Sequence, residues 1–237
     1  MGATLSGLWL DRPLAGAFLG FNLLPAGLMH LTRWASWGLE REEVAEEAAV
    51  LPDHPLGPRS RRLRHVSMAI LHGFQESEAV VQGFGDPALP VFMASQACFE
   101  RLALLCGLVP LIPSIRRIIT RAELQALRAE LSPQEFEFAR AGGARWVPTE
   151  LPSELTVSLG SVRAQARALG DDLLLCAIAE ASPPVACRAR LRLPADLSPE
   201  SSRLPPDLRS GPMALALARG VLQEVDPEWL ALFPALP

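Results

Sequence analysis

The chain has 237 residues, of which 49% are hydrophobic and 20% charged, so it can bury a sizeable core and is not a disordered polypeptide. The 26 acidic and 22 basic residues give a net charge of -4, which excludes a general electrostatic attraction to nucleic acid or to an anionic membrane. Every basic residue is arginine. The lack of lysine and tyrosine excludes mechanisms that need a phosphate-loop lysine, a Schiff-base lysine or a tyrosine acid.

The first apolar stretch, Pro13–Leu31, has nineteen residues without a charge, close to the length of a membrane span. Pro25 interrupts it, because proline disfavours helix at the residue before it and suits a first helical turn. We therefore expect two short segments. A signal peptide fits poorly, since Asp11 and Arg12 precede the run. The preferred interpretation is a soluble core segment, with contact at a membrane interface as the alternative.

The next segment, Glu40–Val50, has high helix propensity and a dense acidic face. Its acidic residues include Glu42, Glu43 and Glu46. Three prolines at Leu51–Pro58 predict a loop. The segment Arg59–Phe74 then begins basic and becomes amphipathic, which predicts a helix with one apolar face. That face consists of Leu63, Val66, Ile70 and Phe74.

The middle of the chain predicts consecutive helices. Cys98–Val109 is nearly all apolar and indicates a buried helix. In the helix that follows, the predicted inner stripe is Ile115, Ile119, Ala122 and Ala126, and the residues off that stripe are Arg116, Arg117 and Arg121. Thr120 and Glu123 have capping-box spacing, so the helix restarts or bends there. Ser132, Pro133 and Glu135 form the clearest helix start in the sequence.

Residues 185–193, VACRARLRL, alternate between apolar residues and arginine, the pattern of a half-exposed strand. We therefore expect a mainly α, compact multi-helix single domain with a minor β element near residues 185–193. The predicted organisation is a helical core domain at 1–194, a Pro-rich loop at 195–212, and a C-terminal helical segment at 213–237 that packs on the core.

Candidate chemistry is sparse. The sequence contains no HExxH, GxSxG, phosphate-loop or dinucleotide-binding motif. His72 with Glu76 one turn on could place a base beside a carboxylate, but surface residues are the simpler interpretation. The four cysteines, which are Cys98, Cys106, Cys176 and Cys187, lie in apolar segments and are interpreted as reduced core residues. A cysteine nucleophile with a distant histidine remains open. We predict a non-enzyme with no cofactor and no metal.

The arginine runs at 59–64 and 116–121 could bind an acidic protein surface, a phosphate or RNA. A solvated helix face is the simpler interpretation of such a run.

The order of segments resembles one family, the SctK/YscK accessory proteins of the type III secretion sorting platform. The resemblance covers roughly residues 18–197 and rests on apolar, structural motifs. These are FNLLPAGLMHL at 21–31, ERLALLCGLVPLIPSIRRII at 100–119, LPSEL at 151–155 and RARLRLPADL at 188–197. The chain departs from the pattern at Trp34–Arg64, which is more charged and more broken by proline, and at its carboxyl end.

The resemblance implies a non-enzymatic adaptor in the bacterial cytoplasm, at the inner membrane through its partners and without inserting into it. Such an adaptor joins the forkhead-associated cytosolic domain of the inner-membrane ring protein (SctD type) to the spoke protein (SctQ type) that carries the export ATPase complex. We expect one patch at Arg116, Arg117 and Arg121, and an acidic one at Glu42, Glu43 and Glu46. The alternative is a helical regulatory or chaperone-like module with a single partner. Nucleic acid is not an expected partner.

Overall fold

The computed structural model describes residues 12–34, 37, 61–75, 80–147 and 155–233, and these residues are mostly helical with no strand among them. The mainly α prediction is confirmed. The α-helices of these ranges are α1 (Arg12–Leu23), α2 (Leu31–Trp34), α3 (Arg61–His72), α4 (Leu89–Met93), α5 (Gln96–Leu108), α6 (Ile112–Arg117), α7 (Arg121–Glu130), α8 (Pro133–Arg140), α9 (Val162–Ala177), α10 (Pro183–Leu191), α11 (Gly211–Val225) and α12 (Pro227–Ala231). Short 3-10 turns lie at Pro25–Leu28, Val109–Leu111, Gly142–Trp146, Ile178–Glu180, Pro199–Ser201 and Pro206–Arg209.

Residue contacts divide the chain into two compact units. Unit 1 contains Met1–Gln96, Glu180–Asp196 and Glu228–Pro237, and unit 2 contains Ala97–Ala179 and Leu197–Pro227. Each unit therefore combines segments that are far apart in the sequence. The domain boundaries predicted at residues 194 and 212 stay a prediction.

The opening apolar stretch forms two pieces, as the position of Pro25 predicts. Helix α1 ends at Leu23, and Pro25 begins a 3-10 turn that ends at Leu28. Three apolar side chains of α1 are buried in unit 1, namely Leu14, Phe18 and Phe21. These residues form part of a protein core, which is the interpretation preferred from the sequence.

One other stretch, Gln96–Arg117, is long and apolar enough to cross a membrane by length and composition alone. It comprises α5, a 3-10 turn and α6. Of its apolar window, 72% is buried inside the structure, as in the core helix of a folded domain.

Unit 1 has a core in which the first helices meet α3. Ala26, Met29 and Trp34 pack with Val66 and Ile70 of α3. Phe74 and Leu191 cover this cluster. The apolar face predicted for α3 is confirmed at Val66 and Ile70, while the side chain of Leu63 lies outside the described residues.

The strand predicted at residues 185–193 is wrong, because this segment is the helix α10. Pro183 lies in its first turn, and the carbonyl oxygen of Ser182 accepts hydrogen bonds from the N–H groups of Val185 and Ala186. The buried residues follow the helical period and are Val185, Arg188, Ala189, Arg192 and Leu193. The strand prediction assumed that every arginine faces solvent, and two of the three arginines in the segment do not.

Those two arginines bind the ends of other helices in unit 1. Arg188, with 1% of its surface exposed, donates to the carbonyl oxygens of Phe21 (3.1 Å) and Asn22 (3.3 Å) at the end of α1. Arg192, also 1% exposed, donates to those of Phe92 (2.7 Å) and Ala94 (2.6 Å) at the end of α4. The last carbonyls of a helix lack partners within the helix, so a guanidinium with several donors satisfies them.

Unit 2 contains a close crossing of α5 and α9. A Cβ atom built on Gly107 would overlap the carbonyl oxygen of Ala166, and one built on Gly170 would overlap that of Ala103. The pairing of 103 with 170 and of 107 with 166 makes the two helices antiparallel. Gly107 and Gly170 therefore lie where the helix backbones approach closely, and a side chain at either position would prevent that approach.

Helices α7 and α8 of unit 2 begin where the sequence predicts. The Ser132 hydroxyl accepts from the N–H of Glu135, and the Glu135 carboxylate accepts from the N–H of Ser132 at 2.7 Å, which completes a capping box. Arg163 adds two hydrogen bonds to the same carboxylate, at 2.8 and 2.9 Å. Burial opposes ionisation of Glu135, but the hydrogen bonds from Ser132 and Arg163 outweigh it and lower the pKa of its carboxyl group.

Candidate functional site: an arginine-rimmed turn

The connection between α6 and α7 in unit 2 is a short turn, Ile118–Thr120, with arginine on both sides. Helix α6 ends at Arg117, and the backbone of Ile118 is extended, with φ -73° and ψ 114°. Thr120 caps α7, because its hydroxyl oxygen accepts from the N–H of Glu123. The restart predicted from the Thr120–Glu123 spacing is confirmed. We call residues 116–121 the Ile119 turn.

The helix break moves Ile119 out of the core. Its side chain is 80% exposed, whereas Ile115 one turn earlier is fully buried. Ala122 is exposed and Ala126 half-buried, so the predicted inner stripe is wrong beyond Ile115. The stripe assumed one continuous helix, and three non-helical residues change which face points inward.

Two arginines hold the Ile119 turn in place. Arg140 of α8 donates to the carbonyl oxygens of Ile115 (3.3 Å) and Ile118 (3.1 Å), at the end of α6. In return, Arg116 donates through Nε to the carbonyl oxygen of Arg140 at 3.2 Å, at the end of α8. Each guanidinium therefore stabilises the end of the other arginine's helix, and the turn is presented on a braced backbone.

Arg117 and Arg121 point their charges to solvent. Both are exposed, and within the part of the chain that the structure describes neither has an ion-pair partner. Arg121 is the first residue of α7, where the helix dipole is positive and a cation is unfavourable. The Arg121 charge therefore slightly destabilises α7, and it has no ion-pair partner among the described residues, so it is free to attract an anionic group of a partner.

The Ile119 turn thus combines an exposed aliphatic side chain with cations at its rim. Isolated exposed apolar residues are ordinary, but this one projects from a braced turn among three arginines. Buried apolar anchors carry most of the affinity of protein interfaces, and charged rims set encounter rate and register. The arrangement suits a partner with an apolar pocket and an acidic edge.

Of the partner-binding residues predicted from the sequence, the structure describes the three arginines and not the three glutamates. Arg116, Arg117 and Arg121 lie in the Ile119 turn. The acidic residues Glu42, Glu43 and Glu46 lie outside the described residues, as does Glu76. Ile119 is the functional candidate that the sequence analysis missed, and the signal was present: a capping box at Thr120 places the residue before it in a connection between helices.

Two of the four cysteines that the sequence singled out, Cys106 and Cys176, are poor candidates for a nucleophile. Burial raises the pKa of Cys106, and burial followed by the charge of Asp172 raises that of Cys176, against an opposing effect of Arg209. Both thiols are therefore poor nucleophiles at neutral pH. His65 and His72 are exposed on α3. Among the described residues no three His, Cys, Asp or Glu side chains are close enough together to hold a metal ion.

Comparison with known protein families identifies the family of this chain. The family model described as YOP proteins translocation protein K (YscK) matches residues 29–234 of the 237. The chain belongs to the YscK family. It is therefore a type III secretion protein of a family that forms part of the secretion apparatus and is not a known enzyme family. No curated protein and no solved structure matches.

The YscK match extends beyond the segments that suggested the family. It includes Trp34–Arg64 and the carboxyl-terminal helices, where the sequence departs from the expected pattern. It also includes the whole Ile119 turn and the buried arginines Arg188 and Arg192. These features are therefore parts of the family domain, whereas helix α1 lies before the matched residues.

Proposed function

We propose that this YscK-family protein is a non-enzymatic adaptor of the type III secretion sorting platform. In this role it links the forkhead-associated cytosolic domain of the inner-membrane ring protein to the spoke protein, and through the spoke to the export ATPase complex. It acts in the bacterial cytoplasm and reaches the membrane through its partner. Family membership supports the secretion role, and the Ile119 turn supports binding of a protein.

The observation that carries the proposal is the 80% exposure of Ile119 on a turn braced by Arg116 and Arg140. A rigid anchor loses little conformational freedom on binding, so its burial contributes to affinity with a small entropic cost. Exposed arginine beside it favours an acidic surface over a neutral one. The Ile119 turn therefore binds one of the two partners.

The test is binding of the full chain to each purified partner, the ring protein's cytosolic domain and the spoke protein. Ile119→Asp is expected to weaken binding to one partner by about 30-fold, the effect of losing a buried hot spot. Met213→Asp is the matched control, since Met213 is an exposed apolar residue of unit 2, 45% exposed, on a different helix. Neither variant should unfold at a lower temperature than the wild type, and Met213→Asp should unfold slightly higher because it adds an anion to the first turn of α11.

A second comparison removes the three arginines around Ile119, including the Arg116 hydrogen bond to Arg140, and keeps Ile119 itself. Alanine at Arg116, Arg117 and Arg121 together should slow association with the same partner, and the loss should shrink at high salt. The control is Arg203→Ala, another exposed arginine of unit 2. If the triple variant binds both partners like the wild type at low and high salt, the site assignment is wrong.

The two-partner test also decides between adaptor and single-partner module. An adaptor forms a complex of all three proteins, which size-exclusion chromatography detects as one species. A wild-type chain that binds only one of the two partners would support the regulatory or chaperone-like alternative instead.

A further inference from the structure

Unit 1 contains a groove between residues 80–87 and residues 180–184, with a volume of about 860 Å³. One wall includes Val80, Gln82 and Gly83, and the other includes Glu180 and Ser182. Of the predicted site residues that the structure describes, Arg116, Arg117 and Arg121, none lines it. The sequence signal here is the turn-rich GFGDPALP at 83–90, which indicates exposed backbone.

The segment that forms the first wall is extended. The N–H of Val81 donates to Asn22 Oδ1 at 2.9 Å, and Asn22 Nδ2 approaches the carbonyl oxygen of the same residue at 3.5 Å. Both backbone groups of one residue face the same side only in an extended conformation, as in a β ladder. The side chains agree, since Val81 is 4% exposed and Val80 is 56% exposed.

This geometry turns the backbone groups of Val80 and Gln82 away from Asn22. Within the described residues they have no hydrogen-bond partner, nor does the backbone of Gly83. A Cβ atom built on Gly83 or Gly85 would meet nothing within 4 Å, so the space beside this backbone is open. An extended segment with one paired edge and one free edge is a template for the addition of a further strand.

The negative charge of the groove favours extended segments that carry a basic side chain. Among the described residues, its lining contains two carboxylates, Asp86 and Glu180, and no cation. Asp86 already accepts the N–H groups of Ala88 (2.8 Å) and Ser182 (2.7 Å), which fixes the two walls to each other. Glu180 is exposed and is therefore the carboxylate available to a ligand.

We infer that the groove binds an extended segment of a partner protein, which adds as a strand along Val80–Gly83 and places a basic side chain against Glu180. The inference rests on the proposed adaptor function, since the segment belongs to one of the two platform partners. It gives unit 1 a docking surface of its own. The two surfaces differ in chemistry: the groove of unit 1 is acidic and binds backbone, whereas the Ile119 turn of unit 2 is basic and offers an apolar side chain.

The test uses the full chain and overlapping synthetic peptides that cover the ring protein's cytosolic domain and the spoke protein. Gln82→Pro removes the outward N–H and should lower the affinity of the bound peptide by at least about tenfold. Gln82→Ala keeps that N–H and is the matched control, expected to bind within about twofold of the wild type. Glu180→Arg, a surface change, should also lower affinity about tenfold and should favour acidic peptides over basic ones.

Each outcome decides the inference. Hydrogen exchange at the amides of Val80 and Gln82 should slow when the peptide binds, and this readout does not depend on whether Gln82→Pro folds. The inference that the groove binds a partner segment is wrong if no peptide binds the wild type. It is also wrong if the Glu180→Arg variant binds the peptide as tightly as the wild type does. If the intact partners bind the wild type and the Glu180→Arg variant equally, the groove is overturned and the adaptor function stands. If neither intact partner binds the wild type, both proposals are overturned.

Discussion

In unit 1, Arg188 and Arg192 are buried and bind carbonyl oxygens at helix ends, whereas in unit 2 Arg117 and Arg121 are exposed beside Ile119. The same residue type is structural in one unit and available to a partner in the other. A guanidinium has five donors in a planar fork, so it can satisfy several carbonyls at once or bind a carboxylate. The number of arginines in a sequence therefore says little about which of these roles they have.

The units also differ in how their helices approach one another. Unit 2 brings α5 and α9 together over Gly107 and Gly170, with no side chain between the backbones. Unit 1 connects its helices through long buried side chains. We expect unit 1 to be sensitive to the loss of polar groups and unit 2 to be sensitive to added volume. The predictions below test this difference, from the largest effect to the smallest.

The largest effect is expected for Arg192→Met. Methionine fills a similar volume but donates no hydrogen bond to the carbonyl oxygens of Phe92 and Ala94. Each buried acceptor that loses its donor costs about 1–3 kcal/mol of folding free energy. Denaturant unfolding should show a loss of about 4 kcal/mol. The control is Arg190→Met, an exposed position two residues earlier, in the last turn of α10. Equal stability of the two variants would contradict the structural role of Arg192.

The second effect compares two helical glycines. Gly170→Ala should destabilise the chain by about 3 kcal/mol, because the new methyl group overlaps the backbone of Ala103 and the helices must separate. Gly20→Ala in α1 meets nothing within 4 Å and should stabilise by up to about 1 kcal/mol through helix propensity. Thermal unfolding of both variants measures the difference. Similar melting temperatures would show that the α5–α9 crossing has room to adjust.

The third effect is a pH dependence in unit 2. The pKa of Glu135 is lower in the folded chain than its ordinary value of 4.5, so its ionised form stabilises the fold. This contribution is complete above about pH 5 and is lost as the pH falls through the lowered value. Glu135→Gln should remove that part of the pH dependence. It should cost about 1 kcal/mol at pH 7, as a lost cap does, and nothing at low pH.

The smallest effect is expected at the Ile119 turn. Arg121→Glu places an anion at the first position of α7 and should stabilise the chain by about 0.3–1 kcal/mol. The same change reverses a rim charge and should weaken partner binding. A gain in melting temperature together with a loss in affinity would identify Arg121 as a residue retained for binding. A loss in both would indicate an undescribed structural contact.

The sequence predicted the helices that have local start and stop signals. Ser132, Pro133 and Glu135 are sufficient to define a helix start, and Pro25 is sufficient to divide the opening stretch, because both act through their own backbone neighbours. The start of α7 after Thr120 is local in the same way, because the Thr120 hydroxyl binds the backbone three residues later. These signals need no knowledge of the rest of the fold.

The features that the sequence did not predict depend on contacts between distant segments. Arg192 is buried because the carbonyls of α4, about a hundred residues earlier, need donors, and no local pattern encodes that. The 185–193 segment therefore reads as alternating while it folds as a helix. The groove of unit 1 depends in the same way on Asn22, whose side chain pairs with Val81 across 59 residues.

Because Arg188 and Arg192 are buried, the rate at which trypsin cleaves after them can measure how often unit 1 opens. Trypsin cleaves after arginine, and every site of that kind in this chain is an arginine, since lysine is absent. The exposed Arg190 lies between the two buried sites, one of which is in α10 and the other directly after its last residue. Cleavage at 188 or 192 requires α10 to unwind and leave the core, so its rate follows the free energy of opening of unit 1. A brief digestion of the native chain should therefore separate opening of this unit from ordinary cutting at surface arginines.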